Sequence, residues 1–276
     1  MRIIVKQTIA VRQLRYTVVG IVILVLMLFP VYWMVNVSLQ GGGTAANSTF
    51  FPTDITFDGY RRAWEDQTGN LVTSMIVALG AVAVSLVVAT PAAYALSRFR
   101  LRGMGVFLFV LLLAQMIPGI VIANSLYTLF NDLGLLNTYV GLVLANATHG
   151  IPFAIIIMSA FMRSIPPALT EAARVDGAGH LRAFWSIIVP VSKNSLITAG
   201  LFSFLFAWSD FMFGLTLTTG ADIKPITLGI YDYLQGNVQS WGPVMASAVI
   251  SAVPAVVLLV LAQKYIAAGA LGGAVK

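Results

Sequence analysis

The chain has 276 residues, of which 16 are basic, 10 are acidic and 59% are hydrophobic. Its charged fraction of 9% is far below the roughly 25% of an ordinary globular protein. These charged and polar side chains are too few to cover the surface of a water-soluble fold. Most of the protein's surface must therefore face lipid. The lack of cysteine excludes disulfide frameworks, thiolate nucleophiles and cysteine-bound metal sites.

Long stretches without charged residues recur along the chain and predict membrane-spanning helices. A helix needs about 20 mostly apolar residues to cross the hydrocarbon core. Because backbone amides in lipid must bond internally, and because these stretches lack the alternation of barrel strands, we predict an all-α polytopic membrane protein. The predicted transmembrane helices are six, at about 16–37, 71–96, 105–130, 139–161, 194–217 and 242–263.

The positions of lysine and arginine predict the orientation. If the N-terminus is cytoplasmic, thirteen of the 16 basic residues lie in cytoplasmic segments, and only Arg61, Arg62 and Lys224 lie outside. This distribution is the one expected from the positive-inside rule. We therefore expect a multi-pass protein of the cell membrane with both termini in the cytoplasm. The net charge of +6 is a topology signal and does not indicate nucleic-acid binding.

The cytoplasmic loop at 163–193 contains the most informative polar sequence. Two consecutive prolines suit the first turn of a short helix, and Glu171 lies near the positive end of its dipole. Gly177 and the glycine two residues later stop this helix. A second short helix is predicted at about 180–189, before the fifth span.

Small residues form a stripe on the first of these short helices. Ala168, Ala172 and Val175 recur at positions i, i+4 and i+7. Small side chains let another surface approach the helix backbone closely, which favours the docking of a partner. The alternative is a loop that lies on lipid headgroups, with Arg174 and Arg182 as anchors. The residues alone leave both hypotheses open.

The run Glu171–Ala178, followed by Phe184, Ile187 and Pro190, resembles the EAA signature of the permease subunits of binding-protein-dependent ABC importers. Several other stretches are similar to the carbohydrate-importer branch of this family. They are Pro52 with 57–60, 93–98, 133–138, 152–153, 206–211 and 269–276. Nearly the whole chain is similar to the smaller, six-helix permease of maltose-type systems. One departure is Ser209, where the family motif has an amide.

This resemblance implies a single transmembrane permease domain over residues 1–276 with the type I ABC importer (MetI-like) fold. It implies four partners besides membrane lipid: a second homologous permease, two cytoplasmic ATPase subunits and an extracytoplasmic solute-binding protein. ATP and magnesium would bind in the ATPase subunits. This chain lacks a GxxxxGK(S/T) loop, so we expect it to bind no cofactor and to be no enzyme.

The resemblance also assigns residues to the contact with the ATPase subunits, where the first short helix would be a coupling helix seated in a groove. The coupling residues would be Glu171, Ala172, Ala173, Arg174, Asp176, Gly177 and Ala178. The C-terminal tail would reach between the ATPase subunits. Its contact residues would be Gly273, Ala274, Val275 and Lys276.

Polar residues within the predicted spans are candidates for the transport pathway. An aspartate at a helix centre costs about 2.5–3.5 kcal/mol on insertion scales, so Asp210 and His149 need an explanation. For both we favour structural hydrogen bonding, with Asp210 bonded to a neighbouring helix; a pathway role is the alternative. The pathway candidates are Gln115, Asn124, Ser125, Tyr127, Asn146, His149, Trp208 and Asp210. We predict no metal site, because the other histidine, His180, lies in the cytoplasmic loop.

These patterns favour a permease subunit of an ATP-driven importer for a sugar or oligosaccharide. The subunit would form half of the transmembrane pathway and couple ATPase closure to alternating access. An ABC importer permease for another solute, such as glycerol phosphate, stays open. A secondary transporter is more remote, since it predicts internal repeats and pathway charges for ion coupling. An intramembrane protease lacks its motifs here.

Overall fold

A computed structural model describes residues 2–41, 48–99, 102–220, 223–235 and 240–274, with the backbone alone described at 2–12 and 266–274. Twelve α-helices make up most of this part of the chain. They are α1 (Arg2–Ser38), α2 (Asp58–Arg98), α3 (Met104–Ala114), α4 (Gly119–Asp132), α5 (Tyr139–Ser164), α6 (Ala168–Val175), α7 (His180–Ala183), α8 (Val189–Val191), α9 (Lys193–Trp208), α10 (Met212–Leu217), α11 (Ile226–Gln235) and α12 (Trp241–Ala274). A π-helical turn joins α7 to α8. The predicted all-α class is confirmed.

Four helices are long and apolar enough to cross a membrane. They are Gln13–Ser38 within α1, all of α2, all of α5, and Trp241–Tyr265 within α12. The number rises to six if each of two bent helix pairs counts as one span. The pairs are α3 with α4, bent by 93°, and His180–Val191 with α9, bent by 74°. By length and composition the described chain is a polytopic membrane fold.

The third predicted span, 105–130, is not one continuous helix. It divides into α3 and α4, which meet at 93° across the short segment that ends at Pro118. The backbone of Pro118 is extended, with φ −58° and ψ 133°. Proline has no N–H group for the helix ladder, and it is compatible with either a kink or a full stop. One helix ends and another begins here, so the prediction of a single continuous helix at 105–130 was wrong.

Further differences from the prediction concern α2, the fifth span and α11. The helix α2 begins at Asp58, well before the expected start of the second span at residue 71. The fifth span, 194–217, is interrupted at 209–211, between α9 and α10. The helix α11 was not predicted. Its ten residues carry only an acidic charge, Asp232, and follow a proline that suits the start of a helix.

The chain divides into two compact units. The first comprises Met1–Asp66 and Tyr233–Ile250, and the second comprises Gln67–Asp232 and Ser251–Lys276. We call the second the core unit. It contains the predicted coupling loop, residues 163–193, and all the pathway candidates.

Small residues bring α2, α5 and α9 of the core unit close together. Ala93 of α2, Ala154 of α5 and Ala199 of α9 have no exposed surface and belong to one buried cluster. Phe184 and Ile188, from the turn after α7, are buried in the same cluster. The second half of the coupling loop is therefore fixed to the membrane helices.

Gly141, in the first turn of α5, permits the close approach of a preceding loop. The Thr138 hydroxyl caps this helix by accepting from the Gly141 N–H at 3.0 Å, and it donates to the Leu135 carbonyl at 2.7 Å. A Cβ atom on residue 141 would collide with that same carbonyl oxygen. Since the obstacle is backbone, it cannot move aside by a side-chain rotation.

We expect Gly141→Ala to lower the free energy of unfolding by about 1–3 kcal/mol, the usual cost of overpacking. A lower unfolding temperature of the purified protein in detergent, measured by near-ultraviolet circular dichroism, would report this loss. Gly69→Ala is the matched control, because a Cβ atom on Gly69, in helix α2, would meet no atom within 4 Å. Equal unfolding temperatures for the two variants would contradict the packing argument.

Candidate functional site

The helix α6, the predicted coupling helix, ends in a motif that supplies donors to two of its last carbonyl groups. Gly177 has a left-handed backbone with φ +84°. The Ala178 N–H donates to the Ala173 carbonyl at 2.9 Å, and the Gly177 N–H donates to the Arg174 carbonyl at 3.1 Å. This pair of bonds is the Schellman motif, whose left-handed position favours glycine. The predicted helix end at Gly177 therefore has a defined geometry.

The two faces of α6 differ in exposure. Ala168, Ala172 and Val175 are all exposed, Val175 to 88%, whereas Ala173 is 7% exposed and packs inward. Leu181, in α7 of the same loop, is 78% exposed. Exposed apolar surface with polar residues at its rim is typical of an interaction surface. The predicted stripe of small residues thus lies on the outer face.

Charged residues lie beside this stripe. Glu171, Arg174 and Asp176 are exposed, and Ala178 is half-buried. Glu171 and Arg174 also line a cavity of about 270 Å³ between α6, α7 and the end of α2. The coupling residues therefore include an apolar patch and a charged edge.

A second candidate site is a cavity of about 310 Å³ within the core unit, lined by both polar and apolar residues. Asn146 and His149 reach it from α5, while Ser209 and Asp210 reach it from the break between α9 and α10. Its other lining residues are Gly119, Phe206, Phe211, Met212 and Phe213. Irregular backbone at membrane depth is tolerated where it is buried in protein or lines a cavity.

The Asp210 side chain accepts hydrogen bonds from the first turn of α10. Its two carboxylate oxygens accept hydrogen bonds from the backbone N–H groups of Phe213 and Gly214, each at 3.2 Å. The Asn146 amide on α5 donates to the Leu142 carbonyl of its own helix at 3.0 Å. The Asp210 carboxylate thus bonds to the helix that follows it in the chain, and the expected bond to a neighbouring helix is not formed by this side chain. These bonds offset the cost of an acidic group within a span.

His149 is half-buried at the wall of this cavity. Its ring centroid lies 5.6 Å from that of Phe213. Its backbone carbonyl accepts a hydrogen bond from the Gln115 amide at 3.4 Å. Gln115 therefore connects the break between α3 and α4 to α5, and its side chain is not among those that line the cavity.

Trp208 lies away from the cavity, in the position of a core residue. It is 6% exposed, and its indole N–H donates to the Ser251 carbonyl at 3.0 Å. Its ring stacks on Phe204, with the centroids 5.4 Å apart. The side chain connects α9 to α12 and leaves almost no surface for a solute.

The three pathway candidates on α4 are exposed. Asn124, Ser125 and Tyr127 belong to the exposed surface of this helix, and Ala123 and Phe130 are its buried residues. The exposed face continues with further polar side chains at helical spacing, Thr128 and Asn131. A polar face at membrane depth is unfavourable against lipid, so it is expected to face water or another protein.

Two groups of residues complete the comparison with the sequence. Phe206 and Phe211 line the cavity although they are not among the pathway candidates; they are the two ends of the stretch 206–211 that is similar to the carbohydrate-importer branch. Of the C-terminal contact residues, Gly273 and Ala274 belong to the backbone end of α12. Val275 and Lys276 lie outside the described residues.

Known proteins resemble this chain over most of its length. The trehalose transport system permease protein SugB of Mycobacterium tuberculosis is 32% identical over 253 residues, which cover 90% of this chain and 92% of that protein. The diacetylchitobiose uptake system permease protein DasC of Streptomyces coelicolor is 33% identical over 263 residues, which cover 94% and 95% of the two chains.

The fold is similar to that of a chain in the crystal structure of a bacterial ABC transporter involved in the import of the acidic polysaccharide alginate. The TM-score is 0.78, with 24% identity over 92% of this chain and 96% of that chain. A family model described as "Binding-protein-dependent transport system inner membrane component" matches residues 81–270, which is more than half of the chain. The chain therefore belongs to this family of inner membrane components of binding-protein-dependent transport systems.

Proposed function

We propose that this chain is a permease subunit of an ATP-driven importer of a disaccharide or oligosaccharide. The observation that carries the proposal is the short helix α6 in a chain of this family. This helix has an exposed stripe of small residues, and its C-terminal end is held by backbone hydrogen bonds. The sugar specificity is supported by the substrates for which the relatives are named, trehalose and diacetylchitobiose.

The proposed assembly contains this subunit, a second permease, two ATPase subunits and an extracytoplasmic binding protein. Both termini and α6 would lie in the cytoplasm, on the side favoured by the distribution of basic residues. The energy of ATP hydrolysis would enter at α6 from the ATPase subunits. Because Phe184 and Ile188 are buried among α2, α5 and α9, a displacement of α6 would be transmitted to these helices.

The cavity around Asp210 supports a pathway for an uncharged solute. It combines the aromatic faces of Phe206 and Phe211 with the polar groups of Asn146 and His149. No lysine or arginine is among the described residues that line it. Phosphate groups are usually bound by arginine or lysine, so this lining favours a sugar over glycerol phosphate.

The exposed polar face of α4 supports a shared pathway. Asn124, Tyr127 and their polar neighbours at helical spacing would face the second permease across a water-filled route. In this arrangement the present chain forms one wall of the route. Transport in proteoliposomes would then require both permeases, and the isolated chain would transport no sugar.

The docking surface can be tested with two adjacent cysteines in the assembled complex. We expect Ala172→Cys, on the exposed stripe, to form a cross-link to an ATPase subunit. Ala173→Cys is the matched control, since Ala173 is only 7% exposed on the inward face. Cross-linked bands on a denaturing gel, identified by mass spectrometry, report the result. No ATPase capture from Ala172→Cys, or equal capture from both positions, would contradict docking through this face.

The left-handed position at the end of α6 gives a second test. We expect Gly177→Ala to lower sugar uptake per ATP hydrolysed, because a Cβ in this conformation costs roughly 1–2 kcal/mol and disturbs the helix end. Gly179→Ala is the control, since Gly179 has an ordinary extended backbone with φ −67°. Uptake and hydrolysis are measured together in proteoliposomes. Equal coupling in both variants would show that the helix-end geometry is not needed.

The cap of α10 gives a third test. We expect Asp210→Ala to leave the buried N–H groups of Phe213 and Gly214 unpaired, at a cost of about 1–3 kcal/mol, and to lower sugar uptake. Asp210→Asn keeps an oxygen acceptor and should lose less. Thr216→Ala, later in α10, is the control. The measurements are the unfolding temperature and the sugar uptake. If Asp210→Ala changed neither, Asp210 would not be needed as the acceptor for the first turn of α10.

A further inference from the structure

Arg98, the last residue of α2, has a guanidinium group that lacks partners. Its Nε and Nη2 atoms are both buried, and neither has a hydrogen-bond partner in the described part of the chain. An arginine guanidinium is always charged, and a buried charged donor without an acceptor is unfavourable. The arrangement therefore calls for an acceptor that the described residues do not provide.

The cavity beside Arg98 contains a carboxylate that can fill this role. Glu171 of α6 lines the same cavity of about 270 Å³ as Arg98. Within the described residues, Glu171 makes no ion pair and no side-chain hydrogen bond. The other titratable groups that line the cavity are Arg174 and His180, besides the Tyr94 hydroxyl. Glu171 is thus the only acidic side chain among these described lining residues.

The walls of this cavity differ in how firmly they are held. On the α2 side, the ring of Tyr94 lies 5.1 Å from that of Phe184, and Phe99 lies 6.3 Å from His180. These aromatic contacts fix the end of α2 to the segment after Gly177. On the opposite side, α6 exposes its outer face and contributes Glu171 to the wall that faces the cavity.

We propose that Arg98 forms an ion pair with Glu171 when an ATPase subunit docks on α6, so that Arg98 is a positioning residue for coupling. This inference rests on the proposed function of α6. The docked subunit would exclude water from the cavity and strengthen the attraction. The planar guanidinium can hold a carboxylate through two parallel hydrogen bonds, which fixes direction as well as distance. The pair would connect the coupling helix directly to α2.

The pairing can be tested in the assembled importer in proteoliposomes with an Arg98→Cys, Glu171→Cys double variant. Disulfide formation should increase when ATP and vanadate hold the ATPase subunits closed. An Arg98→Cys, Ala168→Cys variant is the control, because Ala168 does not line the cavity. Equal disulfide yields from the two variants, or no yield from the first in either state, would overturn the proposal.

Charge variants separate pairing from a merely structural role. Arg98→Glu should lower uptake per ATP hydrolysed, Arg98→Lys should retain part of it, and the exchange of Arg98→Glu with Glu171→Arg should restore it. The cross-link from Ala172→Cys to the ATPase subunit is followed in each variant to show that docking is intact. Failure of the exchange in docked complexes, or an Arg98→Lys variant no better than Arg98→Glu, would overturn the pairing.

Two further outcomes have separate meanings. If the Arg98→Glu defect disappears in liposomes of neutral phosphatidylcholine alone, Arg98 binds an anionic lipid headgroup and the proposal is wrong. If Ala172→Cys captures no ATPase subunit in the unsubstituted background, the proposed function of α6 fails, whereas the disulfide yield between positions 98 and 171 still reports their approach.

Discussion

The close approach of α2, α5 and α9 is the constraint on which the rest of the core unit depends. Lipid tails are as apolar as leucine, so helices in a membrane gain little from burying apolar surface against each other and associate through close packing instead. Ala93, Ala154 and Ala199 supply that closeness, with no exposed surface on any of them. The same contact buries Phe184 and Ile188, so the packing that holds the membrane helices also holds the coupling loop.

Two broken helices place polar groups inside this apolar framework. A break frees backbone N–H and carbonyl groups, and in a membrane these must find partners within the protein. The Asp210 carboxylate supplies acceptors after α9, while the Gln115 amide, from the break before α4, donates to the His149 carbonyl of α5. The cavity at the break after α9 is therefore lined by the same carboxylate that satisfies the N–H groups of that break. One side chain can serve both the structure and the pathway, so the two hypotheses that the sequence leaves open for Asp210 are compatible.

Sequence patterns predicted the features that depend on neighbouring residues in the chain. The end of α6 follows from Gly177, and the apolar stretches follow from the spacing of charges. Features set by distant contacts were not predictable in this way. Pro118 is compatible with a kink or a stop, and the stop depends on tertiary packing. The partners of Trp208 and Asp210 lie on other helices or across a break, so polarity alone could not separate the core tryptophan from the cavity-lining acid.

The Schellman end of α6 uses only backbone groups and one glycine. The bonds from Ala178 to Ala173 and from Gly177 to Arg174 do not involve the side chains that point outward. Natural variation can therefore change the outer surface of this helix without altering the angle at which it leaves the membrane domain. Under the proposed function, surface residues could adapt this helix to different ATPase subunits during evolution, while the main chain keeps its end geometry unchanged.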